Sequence, residues 1–122
     1  MNKKKILIVD DEPNIVMSLE YTFKKNNYEV FIARDGSEAI EILKTQIPDI
    51  VLLDIMMPNV DGYQTLEHIR SDASTKNIKV VFLTAKNKVS DIEKGLALGV
   101  DKYLTKPFSI KKIMTEIDEL IT

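Results

Sequence analysis

The chain has 122 residues, the length of one ordinary domain, with 17 Lys and Arg against 19 Asp and Glu for a formal net charge of −2. This balance lacks the excess of basic residues with which proteins neutralise phosphates, so we expect no direct binding of nucleic acid. The chain has no cysteine, which excludes disulfides, thiolate metal sites and cysteine nucleophiles. No apolar run approaches the roughly 20 residues of a membrane span, so we expect no membrane association and a cytoplasmic location.

Short apolar runs alternate with amphipathic segments along the whole chain. The runs are rich in Ile, Val and Leu and are continuous, which is typical of parallel strands covered on both faces. They lie at residues 6–9, 30–33, 50–53, 80–83 and, more weakly, 103–104. The segments between and after them have apolar residues at helical spacing: Ile15, Leu19 and Phe23; Ala39, Ile40, Leu43 and Ile47; Leu66 and Ile69; Val89, Ile92 and Leu96; and Ile110, Ile113, Met114, Ile117, Leu120 and Ile121.

Helix-end signals agree with these segments. Pro13 suits the first turn of a helix, and Asp35 with Glu38 three residues later resembles a capping box. Gly99 suits the end of the fourth helix. Because parallel strands need right-handed crossovers, five such units predict an α/β fold, a doubly wound five-stranded parallel sheet flanked by five helices. We expect one domain over residues 1–122, with no linker or output domain.

Polar side chains follow four of the five apolar runs, all at the same predicted edge of the sheet. Asp10 and Asp11 follow the first run, Asp54 the third, Thr84 the fourth and Lys106 the fifth. Ligands of open parallel sheets bind beyond the carboxyl ends of the strands. Each residue alone also fits a structural role, as a helix cap for either of the first two, but the convergence of all of them favours a site.

Acidic side chains dominate this predicted site. Two carboxylates about 4 Å apart repel each other by roughly 4 kcal/mol at an effective dielectric near 20, so the cluster takes up protons or binds a cation. Oxygen ligands select Mg²⁺, Mn²⁺ or Ca²⁺. A cation, the Lys106 ammonium and the Thr84 hydroxyl would together suit a phosphoryl group, and a carboxylate can be the nucleophile that forms an aspartyl phosphate.

Five motifs closely resemble the receiver domains of two-component response regulators, in the right order over essentially the whole chain. They are IVDDEP at residues 8–13, LLDIMMP at 52–58, DG at 61–62, LTA at 83–85 and YLTKPF at 103–108. The resemblance implies the flavodoxin-like or CheY-like strand order 2-1-3-4-5. It also implies that the domain is not an enzyme and catalyses at most its own phosphorylation and dephosphorylation.

The resemblance assigns roles to individual residues. Asp54 is implied as the phosphoacceptor, with Lys106 and Thr84 binding the phosphoryl oxygens. Thr84 and Tyr103 are the implied switch residues, and the bond between Lys106 and Pro107 is the implied cis peptide.

The implied cofactor is Mg²⁺, with Mn²⁺ as a possible substitute. The side chains of Asp11 and Asp54 would ligate the ion, together with the backbone carbonyl of Met56. Asp10 would act through a metal-bound water.

The implied partners are proteins. The phosphoryl donor is a histidine of a sensor histidine kinase or a histidine phosphotransfer protein. The face formed by the fourth helix, the fifth strand and the fifth helix would bind a downstream effector protein or output domain. The resemblance suggests a monomer without phosphate and a possible dimer after phosphorylation.

One departure concerns charge on that face. Winged-helix transcription-factor relatives commonly carry Ala-Asp-Asp-Tyr at the entry to the fifth strand, with an acid near the start of the fifth helix and a base further on. This chain has Lys102 at the entry, and Lys112 and Glu116 on the helix, so three signs are reversed. Charge pairing sets register across interfaces, so we expect dimerisation by that route to be hindered. An alternative is that Lys102, Lys111 and Lys112 face an acidic partner.

The sequence leaves three alternative functions to consider. The chain could be a receiver cut from a larger, for example DNA-binding, response regulator. An Mg²⁺-dependent aspartyl-phosphate phosphohydrolase would need a second aspartate two residues after the nucleophile, where this chain has Met56. A flavin-binding electron carrier would need a Gly/Ser/Thr-rich phosphate loop after the first strand, where residues 10–13 are Asp-Asp-Glu-Pro.

Overall fold

Five parallel strands form one sheet in the computed structural model, which describes residues 3–57 and 59–121. The strand order is β2-β1-β3-β4-β5, which confirms the predicted topology. Pro58, the last residue of the second motif, lies outside the described residues. The strands are β1 (Lys4–Val9), β2 (Tyr28–Ala33), β3 (Ile50–Leu53), β4 (Lys79–Thr84) and β5 (Lys102–Thr105).

The register places the carboxyl ends of the strands close to one level. Val9 pairs with Ala33 on one side and with Leu53 on the other. Thr84 pairs with Thr105 at the other end of the sheet. Residues that follow these strands therefore share one edge.

Helices cover both faces of the sheet, as predicted for continuous apolar strands. They are α1 (Pro13–Lys25), α2 (Gly36–Leu43), α3 (Gly62–Ser71), α4 (Val89–Ala97) and α5 (Ile110–Ile121). Alternate residues of β1 point to opposite faces: Leu7 packs in the cluster that includes residues of α2 and α3, and Ile8 in the cluster that includes residues of α1 and α5. Among the described residues, none of the helices has the length and apolar composition that crossing a bilayer requires.

The apolar stripe predicted for α4 is not its buried face. Val89 is 70% exposed and Leu96 is 52% exposed, whereas Gly95 is buried. A Cβ at position 95 would lie 3.0 Å from a ring carbon of Phe82 and 3.2 Å from one of Tyr103. The helix therefore packs through its glycine against two aromatic rings, which leaves apolar side chains outside.

The helix ends match the sequence signals in part. Pro13 is the first residue of α1, and Gly99 follows α4 with φ +96°. Asp35 accepts from the backbone N–H of Glu38 at 2.9 Å, but the Glu38 carboxylate accepts from the backbone of Arg34 instead of completing a capping box. A complete capping box occurs in α3, between Asp61 and Gln64, where none was predicted.

Candidate functional site

The strand ends bring the predicted site residues together. The N–H of Asp54 donates to the carbonyl of Val9 at 2.9 Å, and the N–H of Lys106 donates to the carbonyl of Thr84 at 2.8 Å. These bonds continue the sheet by one residue, so each side chain leaves from a rigid element. Asp10, Asp54 and Thr84 are buried.

Lys106 is the positive centre of the site. Its Nζ lies 3.4 Å from Oδ2 of Asp10 and 3.6 Å from Oδ2 of Asp54. Its closest acidic partner is Oε1 of Glu12, at 3.0 Å. This third contact was not predicted, because its only signal in the sequence is an acidic residue directly after Asp10 and Asp11.

Backbone donors orient the two buried carboxylates. The N–H of Glu12 donates to Oδ1 of Asp10 at 2.9 Å, and the N–H of Met56 donates to Oδ1 of Asp54 at 3.2 Å. These contacts are turns in which an aspartate binds the backbone two residues further on. In each carboxylate the second oxygen is left to face Lys106.

Burial and interactions between charges shift the pKa values of Asp54, Asp10 and Lys106. Burial raises the pKa of Asp54, although the charge of Lys106 and the bond from Met56 act in the opposite direction. Burial also raises the pKa of Asp10, and the charge of Asp54 adds to this effect. Burial alone would lower the pKa of Lys106, but its hydrogen bond to Glu12 and the charges of both aspartates outweigh this and raise it. One ammonium therefore faces more negative charge than it can balance.

A cation fits this excess of negative charge. The carboxylates of Asp10, Glu12 and Asp54 each offer an oxygen, and these oxygens all lie within 4.8 Å of one another. Hard oxygen ligands in this number suit Mg²⁺ or Mn²⁺. Asp11, a predicted ligand, is exposed and is not in this group, but its charge contributes to the raised pKa of Asp54. The roles predicted for Asp11 and for the Met56 carbonyl stay predictions.

The two predicted switch residues both contact the backbone of Lys86. The Thr84 hydroxyl accepts from the backbone N–H of Lys86 at 3.3 Å, and its interaction with Asp54 acts to lower the pKa of that carboxyl. The Tyr103 hydroxyl donates to the backbone carbonyl of Lys86 at 2.9 Å. The Tyr103 ring packs edge-to-face on Phe82 with centroids 5.8 Å apart. A chain of contacts thus runs from Asp54 to β5.

The remaining predictions concern the loop after β5 and the charged face. The peptide bond between Lys106 and Pro107 is cis, as the resemblance implies. The ammonium of Lys102 pairs with Glu116 of the same chain, and the expectation that it faces an acidic partner stays a prediction. Lys111 and Lys112 are exposed.

Comparison with known sequences adds context. The family model described as the response regulator receiver domain matches residues 6–118. A probable transcriptional regulator, ycf27 of Cyanophora paradoxa, is 43% identical over 99% of this chain and 49% of its own length. The alkaline phosphatase synthesis transcriptional regulatory protein PhoP of Bacillus subtilis is 39% identical over the same shares. The chain spans about half the length of these curated relatives.

Solved structures show the same architecture. The chemotaxis response regulator CheY4 of Vibrio cholerae superposes with a TM-score of 0.92 at 26% identity, over 98% of this chain and 99% of that one. The receiver domain of the sensor histidine kinase PA1611 from Pseudomonas aeruginosa gives a TM-score of 0.89 at 28% identity, over 98% of both chains. The PA1611 structure has a magnesium ion coordinated in its active site cleft.

Proposed function

Because this chain belongs to the response regulator receiver domain family of two-component systems, we propose that it accepts a phosphoryl group on Asp54 from a histidine of a partner protein. That partner is a sensor histidine kinase or a histidine phosphotransfer protein. The observation that carries the proposal is the setting of Asp54: a buried carboxylate with one oxygen held by the Met56 N–H and the other 3.6 Å from the Lys106 ammonium.

The transfer is a single displacement at phosphorus. A carboxylate oxygen of Asp54 attacks the phosphoryl group of a phosphohistidine, a new O–P bond forms, and the N–P bond breaks. The leaving imidazole keeps the electron pair and takes a proton from solvent. Lys106 and the Thr84 hydroxyl stand beside Asp54, where both can bind phosphoryl oxygens as charge builds up on them.

The acidic residues suit a divalent cation as cofactor. We propose that the side chains of Asp11 and Asp54 hold Mg²⁺, or Mn²⁺ in its place, together with the backbone carbonyl of Met56, and that Asp10 acts through a metal-bound water. The bound ion would neutralise charge between the carboxylate and the incoming phosphoryl group. The carboxylate oxygens gathered within 4.8 Å support this choice.

The site is proposed to gain and lose its own phosphoryl group and not to hydrolyse external phosphate esters. Position 56, two residues after the nucleophile, carries methionine, which cannot act as the general acid or base of a phosphohydrolase. Its side chain is exposed beside Asp54. We therefore propose that the domain catalyses at most its own phosphorylation and dephosphorylation.

The phosphoryl group is proposed to act on the surface formed by α4, β5 and α5. When Thr84 moves to bind the phosphoryl group, it changes its contact with the Lys86 N–H, and Tyr103 binds the carbonyl of the same residue. The position of Tyr103 on this surface then depends on phosphorylation. The surface would bind an effector protein or an output domain, and the doubled length of the transcriptional regulators among the relatives supports the second. A monomer without phosphate and a dimer with it stay predictions.

The central proposal predicts a phosphate adduct on one residue. Incubation with Mg²⁺ and acetyl phosphate is expected to add the mass of one phosphoryl group to the intact protein. Asp54→Asn should abolish the adduct because the amide is not a nucleophile for this transfer. Glu41→Gln, which changes an exposed helical carboxylate, should leave the adduct unchanged. An unmodified parent, or an adduct that persists on Asp54→Asn, would contradict the proposal.

A second prediction concerns the Tyr103 hydroxyl. Tyr103→Phe keeps the aromatic ring but removes the bond to the Lys86 carbonyl, a loss worth about 1 kcal/mol. We expect amide hydrogen exchange in the segment between β4 and α4 to rise about fivefold, while acetyl phosphate still modifies Asp54 at the parent rate. Tyr21→Phe, at an exposed position of α1, is the matched control. Unchanged exchange after Tyr103→Phe would show that the hydroxyl does not hold this segment.

A further inference from the structure

Glu12 links two loops that are far apart in sequence. Its Oε1 lies 3.0 Å from Nζ of Lys106, the shortest of the three contacts that this ammonium makes with carboxylates. The side chain of Lys106 is only 14% exposed, whereas that of Glu12 is 56% exposed. The pair therefore joins the largely enclosed side chain of Lys106 to a carboxylate at the rim of the site.

Apart from its place in the group of carboxylates that could hold a cation, the Glu12 side chain makes no other hydrogen bond or ion pair among the described contacts. The residue precedes α1 as its N-cap, yet its side chain makes no capping hydrogen bond. Its backbone N–H instead binds Asp10. An aspartate or serine would have served the helix better, so the longer glutamate contributes one thing that they could not, its reach to Lys106.

We propose that Glu12 is a positioning residue that holds Lys106 away from Asp54 before phosphorylation and thereby slows phosphoryl transfer to Asp54. The proposal rests on the function proposed above. The incoming phosphoryl group carries negative charge and competes with Glu12 for the same ammonium. Lys106 must release the Glu12 carboxylate before it can bind a phosphoryl oxygen fully, and this release adds to the barrier of the transfer.

The test uses two substitutions that separate contact from charge. Glu12→Gln removes the charge and weakens the contact. Glu12→Asp keeps the charge, but its side chain is shorter by one methylene group and is favoured as a helix cap, so it no longer reaches Lys106. We expect both variants to raise the second-order rate constant for phosphorylation by acetyl phosphate about three- to fivefold, the upper range for a partly exposed ion pair.

Three controls test whether the change in rate is specific to the contact between Glu12 and Lys106. Glu20→Gln changes an acid of α1 that pairs with Lys24. Acetyl phosphate should phosphorylate this variant at the parent rate. Calorimetric titration with Mg²⁺ alone should give Glu12→Asp an affinity within about twofold of the parent, because the charge near the site is retained. Thermal unfolding of both Glu12 variants should match the parent.

The outcomes distinguish this inference from the proposed function. A parent protein that takes up no phosphate refutes the proposed function itself. With an active parent, the inference is overturned if only Glu12→Gln is faster, since local charge then explains the effect. It is also overturned if both variants are unchanged or slower, or if Glu12→Asp loses Mg²⁺ affinity, since Glu12 would then assist transfer or ligate the ion.

Discussion

Gly62→Ala is expected to lower the free energy of unfolding by about 3 kcal/mol, the upper range for added volume in a packed site. Helix propensity alone predicts the opposite sign, because alanine stabilises a helix relative to glycine by about 0.5–1 kcal/mol. The added Cβ would lie 2.6 Å from the carbonyl oxygen of Asp54 and 2.6 Å from Cα of Ile55. Both are backbone atoms, so no side-chain rotation can relieve the overlap.

Gly62→Ala should also slow phosphorylation of Asp54, because it displaces the loop beside the site. The N–H of Gly62 donates to the carbonyl of Ile55 at 3.0 Å, which docks the start of α3 on the loop that follows Asp54, the proposed phosphoacceptor. Displacing this loop shifts the Met56 N–H that orients Asp54. We expect phosphorylation by acetyl phosphate to slow at least tenfold in protein that is still folded.

Urea unfolding and intact mass measure the two effects separately. Glu67→Ala, at an exposed position of the same helix, should change stability by less than about 0.5 kcal/mol and leave phosphorylation intact. A Gly62→Ala protein as stable as the parent would mean that the loop yields at little cost and that the close approach is not required.

Arg70→Met is expected to cost about 2 kcal/mol of stability, because it removes a charged donor that four acceptors share, among them the carbonyl of the buried Ile78. The Arg70 side chain is 23% exposed and donates to four residues of the loops beside β4 and β5. Its partners are the carbonyls of Lys76 at 3.1 Å, Ile78 at 2.6 Å and Gly99 at 2.8 Å, and the carboxylate of Asp101 at 2.9 Å.

Asp101 increases the loss of stability expected for Arg70→Met. Its carboxylate also accepts from the backbone N–H of Val80 at 2.8 Å, so one side chain joins β4 to the loop that precedes β5. Without Arg70 this carboxylate, which is partly buried, has lost its cation. Arg70→Lys keeps a charge but lacks the planar fork of donors, so we expect it to recover less than half of the loss.

Chemical denaturation measures the loss of stability in Arg70→Met and in a control variant. Arg34→Met serves as the control, because Arg34 is 80% exposed and lies 3.7 Å from Glu38 in a surface ion pair. Such pairs contribute about 0–1 kcal/mol. If Arg70→Met proves no more destabilising than Arg34→Met, the hydrogen bonds of Arg70 are replaced by water without loss.

Much of the architecture was predictable because it depends on local patterns. Continuous apolar runs such as residues 6–9 are buried on both faces, so their composition alone indicated parallel strands. Polar residues that follow the strands converge because parallel strands end at one edge, and this brought Asp10, Asp54 and Lys106 within a few ångströms of one another. The motif resemblance supplied the strand order, which no local pattern contains.

Other features depended on which surfaces meet. The apolar stripe of α4 has helical spacing, but Gly95 packs against Phe82 and leaves Val89 and Leu96 exposed. Spacing shows that a helix has an apolar face and does not show whether that face is covered. The hydrogen bonds of Arg70 were equally hidden, since they join elements about thirty positions apart.

Local patterns along the chain therefore dictate the elements, the edge at which the polar residues gather, and the chemical types that meet there. The acid that Lys106 approaches most closely, Glu12, follows only from the folded arrangement of the loops. The partner of a long, flexible side chain depends on distances of an ångström or less, and these are set by the packing of two loops 94 residues apart. Composition and the spacing of residues along the chain do not specify such distances for individual side chains.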